Sequence, residues 1–199
     1  MYEEFKKNFL EFYQNNKDKK FVISAHRHPD SDAIASAYAL NSIFPNSIIG
    51  LQDHLSEDTK PLMEKLGIKY KLLKELKKSS YDGLIVTDCH SYTLLKDAEG
   101  WNVVLLIDHH HEEGKLIHAP LEFIDSDSPS SSEIVYTLIP KVSKKVAFAL
   151  AAAIISDTAR FKSAKFSSFE ILSKLIKLSG SDYLEIFKHA YPQIGRAHV

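Results

Sequence analysis

Short apolar runs that end close to acidic or imidazole side chains recur along this chain. Residues 21–23 (FVI), 84–86 (LIV) and 103–107 (VVLLI) contain no polar side chain, and Asp or His follows each run within three positions. Uninterrupted apolar strands are typical of a parallel sheet that is buried on both faces. Helical patterns alternate with these runs, which predicts an α/β fold with a mostly parallel sheet and helices on both faces.

Further strands are predicted at residues 47–51, 68–70 and 121–124. Predicted helices cover residues 2–16, 32–44, 59–67, 71–78, 134–139, 144–155, 168–178 and 183–190. No internal repeat or domain boundary interrupts this order. We therefore expect one domain over residues 1–199, with a helical C-terminal segment at 168–191.

The charge balance and cysteine content exclude several classes of protein. The chain has 25 basic and 26 acidic residues, a formal net charge of -1, and Cys89 as its only cysteine. A broad basic face for nucleic acid is therefore not expected, and neither an intramolecular disulfide nor a Cys-rich zinc site can form. No apolar run approaches the length of a membrane span, so we expect a cytoplasmic protein that does not bind membranes.

The polar residues that follow the apolar runs are expected to converge. In an open parallel sheet, ligands bind outside the carboxyl ends of the strands. The loop after the first run holds His26, His28, Asp30 and Asp32 within seven residues. Crowded carboxylates repel one another and raise their pKa values unless cations neutralise them.

We therefore predict a site for two divalent metal ions. Imidazole and carboxylate ligands without sulfur favour Mn²⁺, with Mg²⁺, Co²⁺, Zn²⁺ and Fe²⁺ as alternatives. Two such ions can activate a water and polarise a phosphoryl oxygen, which indicates phosphate-ester hydrolysis. His110, His111 and Arg160 are candidates to contact the phosphate. The candidate metal ligands are His26, Asp30, Asp32, Asp88, His109 and Asp157.

Four short motifs occur in a particular order along the chain. They are His26-x-x-Pro29-Asp30-x-Asp32-Ala33 with Ser36, then Asp88 after a strand, then Asp108-His109-His110, then Asp157 in ISDTARF. In these motifs the chain resembles the DHH phosphoesterase family, which includes RecJ-like exonucleases, NrnA-like oligoribonucleases and, more distantly, family II pyrophosphatases. The segment SSSEIVYTLI at 130–139 resembles the NrnA-like members. The resemblance implies a catalytic DHH domain with a Rossmann-like three-layer sandwich.

The resemblance also implies roles for single residues. One metal ion would have His26, Asp30 and Asp88 as ligands. The other would have Asp32, His109, Asp157 and a bridging Asp88. His110 would face the phosphate. Asp108 would not bind a metal ion itself but would orient one of the ligand side chains.

The chain departs from the family pattern at three motif positions and in length. His28, Ser31 and Ala159 stand where the family usually has Asn, Gly and Gly. RecJ-like and NrnA-like members carry a second, substrate-binding domain, which we expect to be missing from this chain. Either a stand-alone catalytic domain or one part of a longer protein fits this pattern, and homodimerisation stays open.

We expect a Mn²⁺-dependent phosphoesterase that cleaves phosphodiester or terminal phosphate bonds of small nucleotides or short single-stranded oligonucleotides. The alternatives are a pyrophosphatase-like hydrolase and an inactive nucleotide-binding or regulatory domain. Helix capping is the alternative role for Asp30, Asp32, Asp88 and Asp157, and a capping or solvated role is favoured for Asp125 and Asp127. A solvated loop position explains His111 equally well. Surface or packing roles are expected for His54, His90, His118, His189 and His198, although His90 lies close enough to Asp88 to contact substrate.

Overall fold

The computed structural model describes residues 2–53, 55, 57–111 and 113–190 of the 199-residue chain. The strands are β1 (Phe21–Ser24), β2 (Ile48–Leu51), β3 (Tyr70–Leu72), β4 (Gly83–Thr87), β5 (Val103–Asp108) and β6 (Glu122–Ile124). The α-helices are α1 (Tyr2–Asn16), α2 (Ser31–Ile43), α3 (Lys60–Leu66), α4 (Ser131–Leu138), α5 (Lys144–Asp157), α6 (Phe166–Ser179) and α7 (Tyr183–Ala190). Short 3-10 turns lie at Leu73–Glu75, Lys78–Ser80 and Lys96–Ala98.

The described strands form one six-stranded sheet in the order β3-β2-β1-β4-β5-β6, and every neighbouring pair is parallel. Val22 of β1 lies opposite Ile48 of β2 and Leu84 of β4. From β1 the chain moves outward to β2 and β3, then returns to β4 and continues in the other direction. The strand order therefore reverses between β1 and β4, where an open α/β sheet forms a crevice. The predicted α/β class with a parallel sheet is confirmed.

The two faces of the sheet are covered by different elements. Alternate residues of a strand point to opposite faces, so Phe21 and Ile23 join the larger hydrophobic core, whereas Val22 joins the smaller one. All seven α-helices contribute buried residues to the larger core. Leu73 and Ala98, which lie in 3-10 turns, help to close the smaller core. In the described part of the chain, the second predicted helical layer thus consists of 3-10 turns and loops.

The central helix of the larger core is α5. All of its residues from Val146 to Ile155 are buried, as expected for a helix that is apolar on every side. Its small alanine side chains allow close packing against α2 and α6. Among the helices that the structure describes, none is both long and apolar enough to cross a membrane.

The prediction of a Lys-rich helix at residues 71–78 is wrong. These residues contain most of β3 followed by two 3-10 turns, and the strand predicted at 68–70 lies two residues further along. Leu72 pairs opposite Leu51 of β2, and Leu73 is 1% exposed in the smaller core. The pairing of Leu72 with β2 and the burial of Leu73 outweigh the helix propensity of the Lys, Leu and Glu residues in this segment.

The other helices deviate little from their predicted positions. α4 begins at Ser131 after the N-cap Ser130, three residues before the predicted start, and α6 begins at Phe166 rather than residue 168. α7 covers Tyr183–Ala190, as predicted. Residue 191, where the predicted helical segment ends, lies outside the described residues.

Gly83, the first residue of β4, packs tightly against the neighbouring strand. A Cβ atom there would lie 2.7 Å from Cγ1 of Val104 and 3.0 Å from the carbonyl oxygen of Asn102. We expect Gly83→Ala to lower the free energy of unfolding by about 1–3 kcal/mol because the core is overpacked. Chemical denaturation measures this, and adding Val104→Ala should restore part of the loss. Equal stability of Gly83→Ala and the wild type would contradict the packing.

Candidate metal centre

Several polar segments meet at the carboxyl edge of the sheet, beside the reversal of strand order. The loop that holds His26 and Asp30 follows β1, and Asp88 follows β4. Asp108 is the last residue of β5, and Asp157 is the last residue of α5. The predicted convergence at the switch point is therefore present in the structure.

Asp88 occupies the centre of this cluster. Asp88 is 1% exposed, and neither of its carboxylate oxygens has a hydrogen-bond partner in the described structure. The backbone adopts φ = 58°, a left-handed conformation that Asp tolerates better than most residues, and its N–H donates to the Ile107 carbonyl at 2.8 Å. A buried carboxylate without a partner is costly, so this geometry calls for a cation.

The two oxygens of Asp88 face two different imidazoles. Oδ2 lies 3.5 Å from Nε2 of His26, and Oδ1 lies 3.5 Å from Nε2 of His109. The Nε2 atom of His109 is also buried without a hydrogen-bond partner. This carboxylate is therefore placed between two groups of donor atoms.

The first group contains His26, Asp30 and Asp88, whose potential ligand atoms all lie within 4.8 Å of one another. Asp30 also caps α2, because its Oδ1 accepts hydrogen bonds from the N–H groups of Asp32 at 2.9 Å and Ala33 at 3.0 Å. The capping alternative is therefore observed for Asp30. Capping is compatible with metal binding, since an ionised carboxylate has about four acceptor sites.

The second group contains Asp32, His109 and Asp157. Nε2 of His109 lies 3.9 Å from Oδ2 of Asp32 and 3.5 Å from Oδ2 of Asp157. Nδ1 of His109 lies 3.2 Å from the carbonyl oxygen of Ser128. Because that carbonyl can only accept, Nδ1 carries the proton and Nε2 offers its lone pair to the cluster.

Asp32 is fixed by the N-terminus of a neighbouring helix. Its oxygens accept hydrogen bonds from the backbone N–H groups of Ser131 at 2.7 Å and Ser132 at 2.9 Å. These two residues open α4, where the helix dipole also favours a negative charge. The serine-rich segment of the sequence thus positions a carboxylate of the cluster.

A family model described as "DHH family, N-terminal domain" matches residues 20–155, which include the segments from β1 to α5. The chain belongs to the DHH family. The match covers every strand of the sheet and the cluster residues up to His109. The predicted family is thus confirmed.

Individual relatives of this DHH chain share about a quarter of its residues. A protein of Lactococcus lactis, named a probable manganese-dependent inorganic pyrophosphatase, is 27% identical over an alignment of 176 residues, and the match covers 81% of this chain and 56% of that protein. A Clostridium acetobutylicum protein of the same name is 28% identical over an alignment of 170 residues, and the match covers 80% of this chain and 55% of that one. The chain therefore spans about half the length of these relatives.

A solved structure supports the fold. The crystal structure of an exopolyphosphatase-related protein from Bacteroides fragilis matches with a TM-score of 0.80 and 19% identity. The match covers 98% of this chain and 62% of that chain. It confirms that this DHH chain has the same α/β architecture as that protein.

The third group of potential ligands contains Asp88, His109 and His110. The rings of His109 and His110 lie 4.2 Å apart between centroids. Nδ1 of His110 lies 2.8 Å from Oδ1 of Asp108, compared with 3.8 Å from Oδ1 of Asp88. Asp108 is thus the hydrogen-bond partner of His110, in keeping with the orienting role predicted for it.

His90 is buried, in keeping with the packing alternative, but it also has a polar partner that was not predicted. Its side chain is 6% exposed, and its Nδ1 forms a hydrogen bond with Oδ2 of Asp108. The expected surface or packing role misses this contact. One signal was available in the sequence: His90 follows the end of β4 by three residues, and the neighbouring β5 ends in Asp108.

Some predicted residues lie outside the three groups. His28 and His111 are exposed, and the guanidinium carbon of exposed Arg160 lies 5.9 Å from the ring centroid of Phe187. The phosphate roles of His110, His111 and Arg160 stay predictions. Arg160 follows Asp157 in a turn where Ala159, Arg160 and Phe161 all have positive φ.

The remaining acidic and histidine residues have local partners. Asp125 accepts hydrogen bonds from the Asp127 N–H at 3.0 Å and from the Tyr2 hydroxyl, whereas the N-cap of the following helix α4 is Ser130. Exposed His118 pairs with Glu122, and Nδ1 of His189 lies 2.9 Å from the Glu185 carbonyl oxygen. His54 and His198 lie outside the described residues.

The electrostatics of the cluster also call for cations. Burial, followed by repulsion from neighbouring carboxylates, raises the pKa of Asp88 well above its ordinary value and also raises the pKa of Asp32. The same causes raise the pKa of Asp157 to about 8. Burial lowers the pKa of His26, which favours the neutral form that metal ions require. The donor set therefore fits divalent ions that accept both imidazole and carboxylate ligands.

Binding of Mn²⁺ should release protons in a pH-dependent manner. In the metal-free protein Asp157, with a pKa of about 8, retains a proton that an unfolded chain loses near pH 4, so this group makes the folded state less stable as pH rises from about 4 to 8. Calorimetry in buffers of different ionisation enthalpy should detect more proton release on Mn²⁺ binding at about pH 6.5, where Asp157 is protonated, than at about pH 9, where it is ionised. Equal release at both pH values would contradict the raised pKa values.

Neutralising Asp88 should separate metal binding from folding. We expect Asp88→Asn to leave the metal-free melting temperature unchanged or higher, because burial and neighbouring carboxylates disfavour the charged form of Asp88 and raise its pKa, whereas the amide stays neutral. The rise in melting temperature that Mn²⁺ causes in the wild type should disappear. Asp125→Asn, at the end of β6, is the matched control and should keep that rise. Loss of the effect in both variants would argue against a site centred on Asp88.

Proposed function

We propose that this DHH domain is a metal-dependent hydrolase of phosphoester or phosphoanhydride bonds that uses two Mn²⁺ ions. The observation that carries this proposal is the buried Asp88 carboxylate, whose oxygens lack hydrogen-bond partners and each lie 3.5 Å from an imidazole nitrogen. Manganese is favoured over other divalent ions by the donor types and by the names of the relatives.

The proposed ligand sets follow the groups of donor atoms. His26, Asp30 and Asp88 would hold one ion, and Asp32, Asp88, His109 and Asp157 would hold the other. Bound in this way, two divalent ions would supply Lewis acidity toward a phosphoryl oxygen and an activated water. Asp88 would set the separation between the two ions because it is common to both sets.

The protein's own side chains would hold the substrate phosphate. His110 adjoins His109 and has a partly exposed side chain, so its ring can donate a hydrogen bond to a phosphate oxygen. Asp108 keeps that ring in place by accepting from Nδ1. Arg160 is three residues beyond Asp157 and would add a positive charge to the phosphate-binding region.

Two classes of substrate are candidates. Small nucleotides and short single-stranded oligonucleotides are favoured by the likeness of the α4 segment to NrnA-like proteins. Inorganic pyrophosphate is favoured by the names of the Lactococcus and Clostridium relatives. The third hypothesis, a domain that binds nucleotides without turnover, is disfavoured because three groups of potential ligands are present.

A substrate panel tests the proposal. Dinucleotides, a 3′,5′-bisphosphorylated nucleoside, a cyclic dinucleotide, a chromogenic phosphodiester and inorganic pyrophosphate would each be incubated with the Mn²⁺-loaded protein. We expect turnover of at least one of them and loss of at least about 100-fold in kcat for Asp88→Asn, more than is usual for residues that only support a ligand. Asp125→Asn is again the control.

The panel also has outcomes that refute the proposal. Tight nucleotide binding by calorimetry without any hydrolysis would support the regulatory alternative. Turnover that persists in Asp88→Asn would refute the proposed ligand assignment. Asp88 is preferred to Asp32 for this test because Asp32 also binds the first N–H groups of α4, so its replacement would alter the fold.

A further inference from the structure

His90 and Asp108 form a buried pair behind the candidate metal centre. The carboxylate of Asp108 is fully buried, and the side chain of His90 is 6% exposed. The backbone of His90 is held as well, because its carbonyl accepts a hydrogen bond from the N–H of Ile117 at 2.7 Å. The imidazole of His90 therefore contacts one oxygen of Asp108, and His110 contacts the other.

The two oxygens of Asp108 have separate partners. Oδ2 bonds with Nδ1 of His90. Oδ1 accepts from the backbone N–H groups of His109 at 2.8 Å and His110 at 3.1 Å, and it also lies 2.8 Å from Nδ1 of His110. An ionised carboxylate can only accept, so both imidazoles donate to it through Nδ1.

This arrangement excludes one of the two ring nitrogens of His110 as a metal ligand. With Asp88 and His109, His110 belongs to a group that could hold a metal ion, and its Nδ1 lies 3.8 Å from Oδ1 of Asp88. A nitrogen that carries a proton toward Asp108 cannot be a metal ligand. Nε2, the other ring nitrogen, stays directed away from Asp108, and under the proposed function it would donate to a substrate phosphate in the imidazolium form, in which both nitrogens carry a proton.

We propose that His90 is a positioning residue that fixes the rotamer of Asp108 and, through it, the orientation and tautomer of His110. A carboxylate is broad about χ2, and the bond from His90 removes this freedom by holding Oδ2. Oδ1 is thereby held toward His110. The catalytic consequence rests on the proposed function, but the hydrogen-bonded order His90-Asp108-His110 exists without substrate or metal.

Nuclear magnetic resonance of the imidazole nitrogens in the metal-free protein tests the order directly. At about pH 8.5, two units above the ordinary imidazole pKa, we expect the proton of His110 on Nδ1 in the wild type. His90→Phe should produce a mixture of Nδ1 and Nε2 tautomers at His110. His90→Asn, whose amide can donate near the position of Nδ1, should restore the wild-type tautomer.

The opposite result overturns the proposal. If the tautomer of His110 in His90→Phe equals that in the wild type, or if His90→Asn behaves as His90→Phe does, His90 does not position His110. Should His90→Phe fail to fold, His90→Gln replaces it, since its amide lies near Nε2 instead of Nδ1. His118→Phe, at an exposed histidine, is the matched control and should leave the His110 signals unchanged.

Kinetics and metal binding separate positioning from a merely structural role. For His90→Phe we expect kcat to fall about 10- to 100-fold on the active substrate, with the Mn²⁺ dissociation constant within about threefold of the wild type. A loss of Mn²⁺ affinity as large as the loss of kcat would show that His90 only supports the Asp88 loop. If the wild type proves inactive, the proposed function fails, and the tautomer measurement still decides the role of His90.

Discussion

The buried carboxylate of Asp88 is the constraint on which the rest of the site depends. The chain places a carboxyl group at the switch point of the sheet, in a left-handed backbone conformation, and among the described residues neither of its oxygens has a hydrogen-bond donor. Such a group is expensive to bury unless a cation accompanies it. The surrounding donors His26 and His109 are spaced so that one cation can lie on each side. In the metal-free protein, burial and the neighbouring carboxylates raise the pKa values of Asp88 and Asp157 for the same reason.

The fold supports this centre from outside by fixing several of its side chains through hydrogen bonds to a further polar group. The helix α4 binds Asp32 through two backbone N–H groups, and the Ser128 carbonyl fixes the tautomer of His109. Asp108 holds the ring of His110 while His90 holds Asp108. Orientation by such neighbours is a common feature of metal sites, and here it comes from segments far apart in sequence. The parallel sheet brings them together because its strands end at one edge.

Sequence patterns predicted the parts of this account that depend on local chemistry. Apolar runs that end in Asp88 and Asp108 predicted both the parallel sheet and the convergence of its polar ends. What escaped prediction depends on contacts between distant residues. The helix predicted at 71–78 is replaced by β3 and 3-10 turns because Leu72 pairs with β2 and Leu73 enters the core. For His90 only a surface or packing role was expected, because its partner Asp108 becomes its neighbour only through the pairing of β4 with β5.

Anomalous diffraction at the manganese absorption edge, from crystals grown with Mn²⁺, tests the central claim most directly. Two peaks about 3.5–4 Å apart are predicted, with Asp88 between them, as in other two-metal sites. One peak should have His26 as a neighbour, and the other should have His109. A single ion, or two ions that do not share Asp88, would contradict the account.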